Sequence, residues 1–278
     1  MTSFEAVVLG IIQGITEMLP VSSSTHLMLF SLMQGLPNQR HSFDIFLNIG
    51  TLAAVIVFFA PQFWNLTKGG VDFLRRKNSH NRDFFLIIVL ANIPTIVFFG
   101  LAEIFFDINF HSPFLISSSL IIFALILWRC DREGDRSVSE NSSSSFIKKK
   151  LSQVTMQDAI FTGLAQLFAI IPGVSRLGVC YSVMRYLRYS RQIAFRFSMI
   201  LSIVPVTGAC FLKTLKLFTG QIVIENVMQV SIGCIFSFVF GLITLYWIDS
   251  FFKNHSALCF VIYRIIFGLF ILTQYKIF

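Results

Sequence analysis

Charge is what this chain has least of. Only 13% of its 278 residues are Asp, Glu, Lys or Arg, about half the share in a soluble domain, roughly 25%. The same chain is 55% hydrophobic, carries 33 Phe and has a mean hydropathy of +0.75. That balance excludes an ordinary soluble globule and predicts a polytopic membrane protein. Paired cysteines are missing too. Cys130, Cys180, Cys210, Cys234 and Cys259 are scattered, with no CxxC among them. Most lie in apolar runs, where Cys behaves as a small hydrophobe, so neither a disulfide nor a zinc site is expected. The N-terminus lacks a basic leader and its apolar run soon meets Glu17, so no cleavable signal peptide is expected. The net charge of +8 would suggest nucleic acid in a soluble chain. Here the basic residues gather in short loops between apolar runs, as the positive-inside rule requires, and no nucleic-acid partner is expected. The expected location is the plasma membrane of a bacterium.

Six runs are long enough to cross roughly 30 Å of hydrocarbon: 43–60, 84–106, 113–128, 193–218, 227–248 and 257–277. Two further apolar regions are broken amid polar residues, 4–35 at Pro20 and 156–185 at Pro172-Gly173. Broken helices survive at membrane depth only where protein or a water-filled cavity satisfies the freed backbone. Both regions are therefore predicted to be re-entrant hairpins with tips near the midplane. The predicted fold is an all-α polytopic membrane protein, with about six transmembrane helices plus two re-entrant helical hairpins. It forms one domain over 1–278, with a first half-repeat over 1–128, an inside loop over 129–155 and a second half-repeat over 156–278.

Loop charge orients these segments. Lys68, Arg75, Arg76, Lys77 and Arg82 mark 61–83 as inside, and Arg129, Arg132, Arg136 and Lys148 to Lys150 do the same for 129–155. The acidic loop at Asp107 then lies outside, and Arg185, Arg188 and Arg191 lie inside. The serine tract 141–145 reads as a flexible part of an inside loop. On this count the first hairpin enters from outside and the second from inside. The hairpins also look like copies: Gly10-x-x-Gln13 matches Gly163-x-x-Gln166, and Gln13 precedes Ser22 by the interval that separates Gln166 from Ser175. Each is followed by a span that begins with a charge, Asp44 or Arg196. An inverted-topology repeat of this kind places its binding site near the midplane, at the repeat interface.

The polar residues of the hairpins are the candidate site, because ionisable groups at membrane depth are costly and usually functional. Glu17 is a metal ligand, a general base or a structural carboxylate. Gln13, four residues before it, shares its face on a helix, and two oxygen-bearing side chains suit a hard cation. Ser22, Ser23, Ser24 and Thr25 follow Pro20. One of them is expected to cap the next helix, and the others add hydroxyls to an anion cradle of free N–H groups. His26 is a general acid, base or nucleophile, or else a satisfied core histidine. Arg176 follows Pro172-Gly173-Val174-Ser175. Its fork matches phosphate oxygens, and an internal salt bridge to Glu17 or Asp44 is its alternative partner. Asp44 and Asn48 share a face; either they orient the others, or Asp44 sits at the membrane interface and does little. One Arg, one Glu, several hydroxyls and one His together suggest phosphate-ester or diphosphate chemistry on a lipid.

Gln13-Gly-Ile-Thr-Glu17-Met-Leu-Pro20-Val-Ser-Ser-Ser resembles the first signature of the undecaprenyl-diphosphate phosphatase family, also called bacitracin-resistance proteins. Pro172-Gly-Val-Ser-Arg176 resembles the second. Ser42-Phe-Asp-Ile, Gly50-Thr-Leu-Ala, Ala91-Asn-Ile-Pro94 and Ala194-Phe-Arg-Phe-Ser198 extend the likeness over nearly the whole chain. The resemblance implies an inner-membrane enzyme that converts undecaprenyl diphosphate to undecaprenyl phosphate and phosphate, recycling the carrier of cell-wall glycans. It implies an active site open to the outer face and a need for Mg²⁺ or Ca²⁺. The implied catalytic residues are Glu17, Ser23, His26 and Arg176, with Glu17 also the metal ligand. Ser22 and Ser175 are implied to bind the substrate, and Gln13, Ser24, Thr25, Asp44, Asn48 and Gly173 are further candidate substrate-binding residues from their place beside these motifs. The expected partners are the lipid and, in a homodimer, a second copy of the chain. Several positions depart from the family pattern. Gln13 stands where many members have Glu, Thr25 where Gly is usual, Leu177 and Cys180 where Ser and Thr follow the Arg, and Asn48 where His or Gln is frequent.

Two rival functions share these features. A transporter or flippase for the lipid carrier would also use inverted repeats and broken helices. A type-2 phosphatidic-acid phosphatase has Ser-Gly-His and Ser-Arg…His signatures similar to Ser24-Thr-His26 and Ser175-Arg176. That mechanism needs a His soon after the Arg, and none occurs between Arg176 and His255.

Overall fold

A computed structural model describes residues 2–34, 40–105, 112–139, 151–220 and 226–274. Asp107, the serine tract 141–145, Lys148 to Lys150 and the end of the last apolar run lie outside them. The described residues form α-helices, two short 3₁₀ turns and no strand. The first hairpin is α1 (Ser3–Glu17) and α2 (Ser23–Met33). The second is α7 (Met156–Ala165), a 3₁₀ turn (Gln166–Ile170) and α8 (Arg176–Tyr186). Between them come α3 (Arg40–Phe58), α4 (Ala60–Leu74), α5 (His80–Phe105) and α6 (Pro113–Ser139). After them come α9 (Arg191–Phe218), α10 (Val227–Asn254) and α11 (Leu258–Thr273).

Four of these helices, α5, α6, α9 and α10, are long and apolar enough to cross a membrane alone, whereas α3 and α4, bent by 87° at their break, meet that measure only as a pair. Six spans were expected. The 16 residues of α11 rise only about 24 Å at 1.5 Å per residue, short of the hydrocarbon thickness. Apolar side chains such as Ile96, Val97, Phe211, Ile243 and Trp247 face outward. Such a belt suits lipid and would be an aggregation hazard in water.

Two expected loops are helical. The charge of residues 61–83 predicts a loop, yet Ala60–Leu74 is a helix with Pro61 in its first turn, where proline is pre-organised. Turned nearly at right angles to α3, it exposes Trp64 and Leu74 and lays Lys68 5.4 Å from the Trp64 ring. That is the pattern of an interfacial helix. The inside loop was expected from residue 129, but α6 runs on to Ser139. Its last turns carry Asp131 and Asp135, which bind Arg185 and Arg191. Arg185 is buried, so it is a cross-link between α6 and α8 besides a topological charge.

The two hairpins match in more than sequence. Each opens with a capping box, Thr2 with Glu5 and Thr155 with Asp158. Each packs on a helix from the other half of the chain. A Cβ on Gly10 would lie 2.6 Å from Gly233 O on α10, and one on Gly163 would overlap Ala91 O on α5. Small residues at these crossings let backbones touch, as in membrane helix pairs generally. Ser237 Oγ on α10 also donates to Leu47 O on α3 (2.8 Å), and Thr95 Oγ1 on α5 to Gly163 O (3.1 Å). The crosswise packing drives both tips into one buried cluster containing Met18, Val21, Val174 and Leu177.

Candidate active site

Where the tips meet, a cavity of about 250 Å³ opens, lined by α1, α2, α3 and the second tip. Gln13 and Glu17 occupy one face of α1, as their spacing predicts. Gln13 Nε2 donates to Asn48 Oδ1 (3.0 Å) and Glu17 Oε2 (3.4 Å), and Asn48 Nδ2 donates to Asp44 O (2.7 Å). The same Glu17 oxygen accepts from Ser23 Oγ at 2.5 Å. Glu17 is therefore fixed by two side chains and presented to the cavity.

The turn after α1 ends at Ser22, whose φ of 72° lies in the left-handed region. For a residue with a Cβ this costs about 1–2 kcal/mol, and such strain concentrates at functional sites. Ser22 is the residue preceding α2, yet its side chain makes no capping hydrogen bond. The expected cap is thus not made. The hydroxyls bond each other instead, Ser22 Oγ to Ser24 Oγ (3.3 Å) and to Thr25 Oγ1 (3.1 Å). The start of α2 lies beside the cavity, with Ser23 and Ser24 in its lining, where helix N–H groups favour an anion.

The second tip differs. Ser175 caps α8 through Gly178 N (3.1 Å), so the matched serines do different work. Gly173 takes φ +90°, and a Cβ there would overlap Ser119 Oγ. Ser119 Oγ on α6 donates to Pro172 O (2.5 Å) and anchors this tip. Arg176, first residue of α8, lines the same cavity as Glu17. Its Nη1 is buried with no hydrogen-bond partner among the described residues. The alternative internal salt bridge to Glu17 or Asp44 is not formed among them.

Of the residues expected at the site, Gln13, Glu17, Ser22, Ser23, Ser24, Asp44, Asn48, Ser175 and Arg176 line the cavity. Thr25, His26 and Gly173 are not among its lining residues. His26 Nδ1 lies 2.7 Å from Ser22 O, a carbonyl that only accepts, so Nδ1 carries the proton. Nε2 then accepts from Tyr263 OH (2.6 Å), and the ring stacks on Phe267 with centroids 4.4 Å apart. Gln166, the counterpart of Gln13, is fully buried and donates to Asn92 Oδ1 (3.2 Å), outside the cavity.

Sequence reasoning passed over α11. Arg264 is buried there and donates to Pro20 O and Gly173 O, both at 3.1 Å. The signal was present: a lone charge inside an apolar run, the rule that selected Glu17 and Arg176.

The donors fit a hard cation. Gln13 Oε1 is buried without a partner among the described residues, and the carboxylates of Glu17 and Asp44 line the same cavity. One or two carboxylates with neutral oxygens, completed by phosphate, is how proteins hold Mg²⁺. No group of three or more His, Cys, Asp or Glu forms a metal cluster among the described residues, so such an ion would lean on its ligand's oxygens.

A profile of the family described as bacitracin resistance protein BacA matches residues 6–270. An undecaprenyl-diphosphatase of Alcanivorax borkumensis is 36% identical over 266 residues, covering 95% of this chain and 96% of its own. One of Desulforudis audaxviator is 35% identical over 269 residues (97% and 96%). One of Corynebacterium glutamicum is 34% identical over 274 residues (96% and 89%). A carboxylate and an arginine facing one cavity between two hairpins, in a chain matched nearly end to end, place this protein in the BacA bacitracin resistance family.

Proposed function

We propose that the protein hydrolyses undecaprenyl diphosphate to undecaprenyl phosphate and inorganic phosphate, and so recycles the lipid carrier for cell-wall glycan synthesis. It does so in the bacterial inner membrane, with its cavity open to the outer face. The first hairpin enters from outside and the second from inside, as an inverted repeat. Three things support this reading: the family, the relatives' shared activity name and the crosswise packing of the hairpins. The observation that carries it is the meeting of Glu17 and Arg176 across one cavity inside an apolar helical body.

The diphosphate enters between the tips. Arg176 and the N–H groups at the start of α2 hold its oxygens. Ser23 is the nucleophile, because its Oγ already donates to Glu17, the nucleophile–base contact of covalent catalysis. Ser23 Oγ attacks the terminal phosphorus as its proton passes to Glu17. The bond from that phosphorus to the bridging oxygen breaks, and undecaprenyl phosphate leaves with the bridging oxygen. Water then attacks the phosphoserine, Glu17 returns its proton to Ser23 Oγ, and phosphate departs. Glu17, Gln13 Oε1 and Asp44 would hold Mg²⁺ or Ca²⁺, which when bound offsets charge on the diphosphate. His26, bonded to the Ser22 carbonyl, steadies the left-handed turn that presents Ser23.

The test is phosphate release by purified protein from undecaprenyl diphosphate. The parent is expected to release phosphate, EDTA to stop it, and Arg176→Ala to reduce it at least a hundredfold, of the order that loss of a positioned charge-stabilising group produces. A carrier flippase without hydrolysis would release none.

A further inference from the structure

Arg264 joins the two hairpins from outside both. It sits on α11, 1% exposed, and its Nη1 and Nη2 each reach one tip, at Pro20 O and Gly173 O. Those carbonyls belong to the turns that immediately precede the start of α2 and the Arg176 start of α8. Among the described residues no carboxylate pairs with this guanidinium, and its Nε has no partner. A buried charge held only by two carbonyls is costly on its own. What it gains is geometry: the two ends of a rigid planar fork cannot move apart independently.

We propose that Arg264 is a positioning residue for diphosphate cleavage, its guanidinium fixing the distance between the half of the site that attacks (Glu17, Ser23) and the half that holds the anion (Ser175, Arg176). The proposal rests on the phosphatase reading above. With the fork in place, both halves engage one diphosphate in a single register. Without it, Arg176 still binds the anion, but Ser23 no longer meets the terminal phosphorus in line.

Arg264→Lys and Arg264→Gln test this, because lysine keeps the charge and loses the two-point fork. Both variants are expected to lose at least tenfold in kcat with KM changed less than about threefold, the signature of lost transition-state alignment. Lysine rescuing kcat to near the parental value would overturn the fork and leave only a charge effect. A large rise in KM with kcat intact would overturn positioning. A readout without turnover separates this from failure of the phosphatase reading. Spin labels on L19C and I171C, in a chain freed of its native cysteines, report the spacing of the tips. Arg264→Gln is expected to broaden that distance distribution, and an unchanged distribution would overturn the proposal whatever the parent hydrolyses. Failure of both variants to yield folded protein would also overturn it, making Arg264 a residue of folding.

Discussion

Glu17 Oε2 accepts from both Gln13 and Ser23, so one oxygen atom joins the proposed nucleophile to the residue that departs from the family pattern. Replacing Glu17 by Gln keeps the shape and removes the proposed base. Phosphate release is expected to fall at least about a hundredfold in kcat, the usual worth of a positioned general base. Gln13→Glu would place a second carboxylate where Oε1 is now buried without a partner. The Mg²⁺ or Ca²⁺ concentration for half-maximal activity is expected to fall severalfold, since affinity at oxygen sites follows ligand charge. A metal titration of both proteins checks this. Gln13 and Glu17 were legible in the sequence because a four-residue spacing fixes a shared face. The orientation of His26 was not, because its partners Tyr263 and Phe267 lie on the last described helix.

Among the helices, close contact rather than propensity decides stability. A Cβ on Gly163 overlaps the Ala91 carbonyl, whereas one on Gly208 meets nothing within 4 Å. Gly163→Ala is therefore expected to force α7 off α5 at a cost of about 1–3 kcal/mol. Gly208→Ala is expected to be neutral or stabilising by up to about 1 kcal/mol. Thermal unfolding in detergent should come earlier for the first and be unchanged or later for the second. The tail of α6 offers a second test. Asp131 accepts from Tyr181, Arg185, Arg191 and the Ala257 backbone N–H, tying α6 to α8, α9 and the start of α11. Asp131→Asn removes one of the two carboxylates that pair with buried Arg185, leaving Asp135, and is expected to cost about 1–3 kcal/mol, read by the same melt. Sequence reasoning placed these arginines in inside loops because charge near a span end looks the same whether solvated or paired. Only the helical continuation of α6 brings the aspartates within reach.

Over the whole molecule, the loop charges and the two broken regions make one orientation testable. Lys77→Cys is expected to react with an impermeant maleimide only in opened cells, and Ser112→Cys in intact ones. The reverse pattern would invert the molecule and the site with it. Composition alone was enough to specify a membrane protein, since 13% charge cannot solvate a 278-residue chain. Local polarity at Pro20 and Pro172-Gly173 specified the two hairpins, because broken backbone in lipid needs a polar refuge. The internal match of the hairpins was legible from spacing for the same reason that both begin with a capping box: the same local interactions recur. Span count, the helix α4 and the end of α6 were not legible. An apolar run gives no sign of an 87° bend, nor a charged run of whether it continues a helix. The site itself belongs to the tertiary structure. Glu17 and Arg176 come from hairpins packed on opposite halves of the chain. What brings them to one cavity is the contact of glycines with distant backbone and the reach of Arg264 to both tips, interactions that no local sequence window contains.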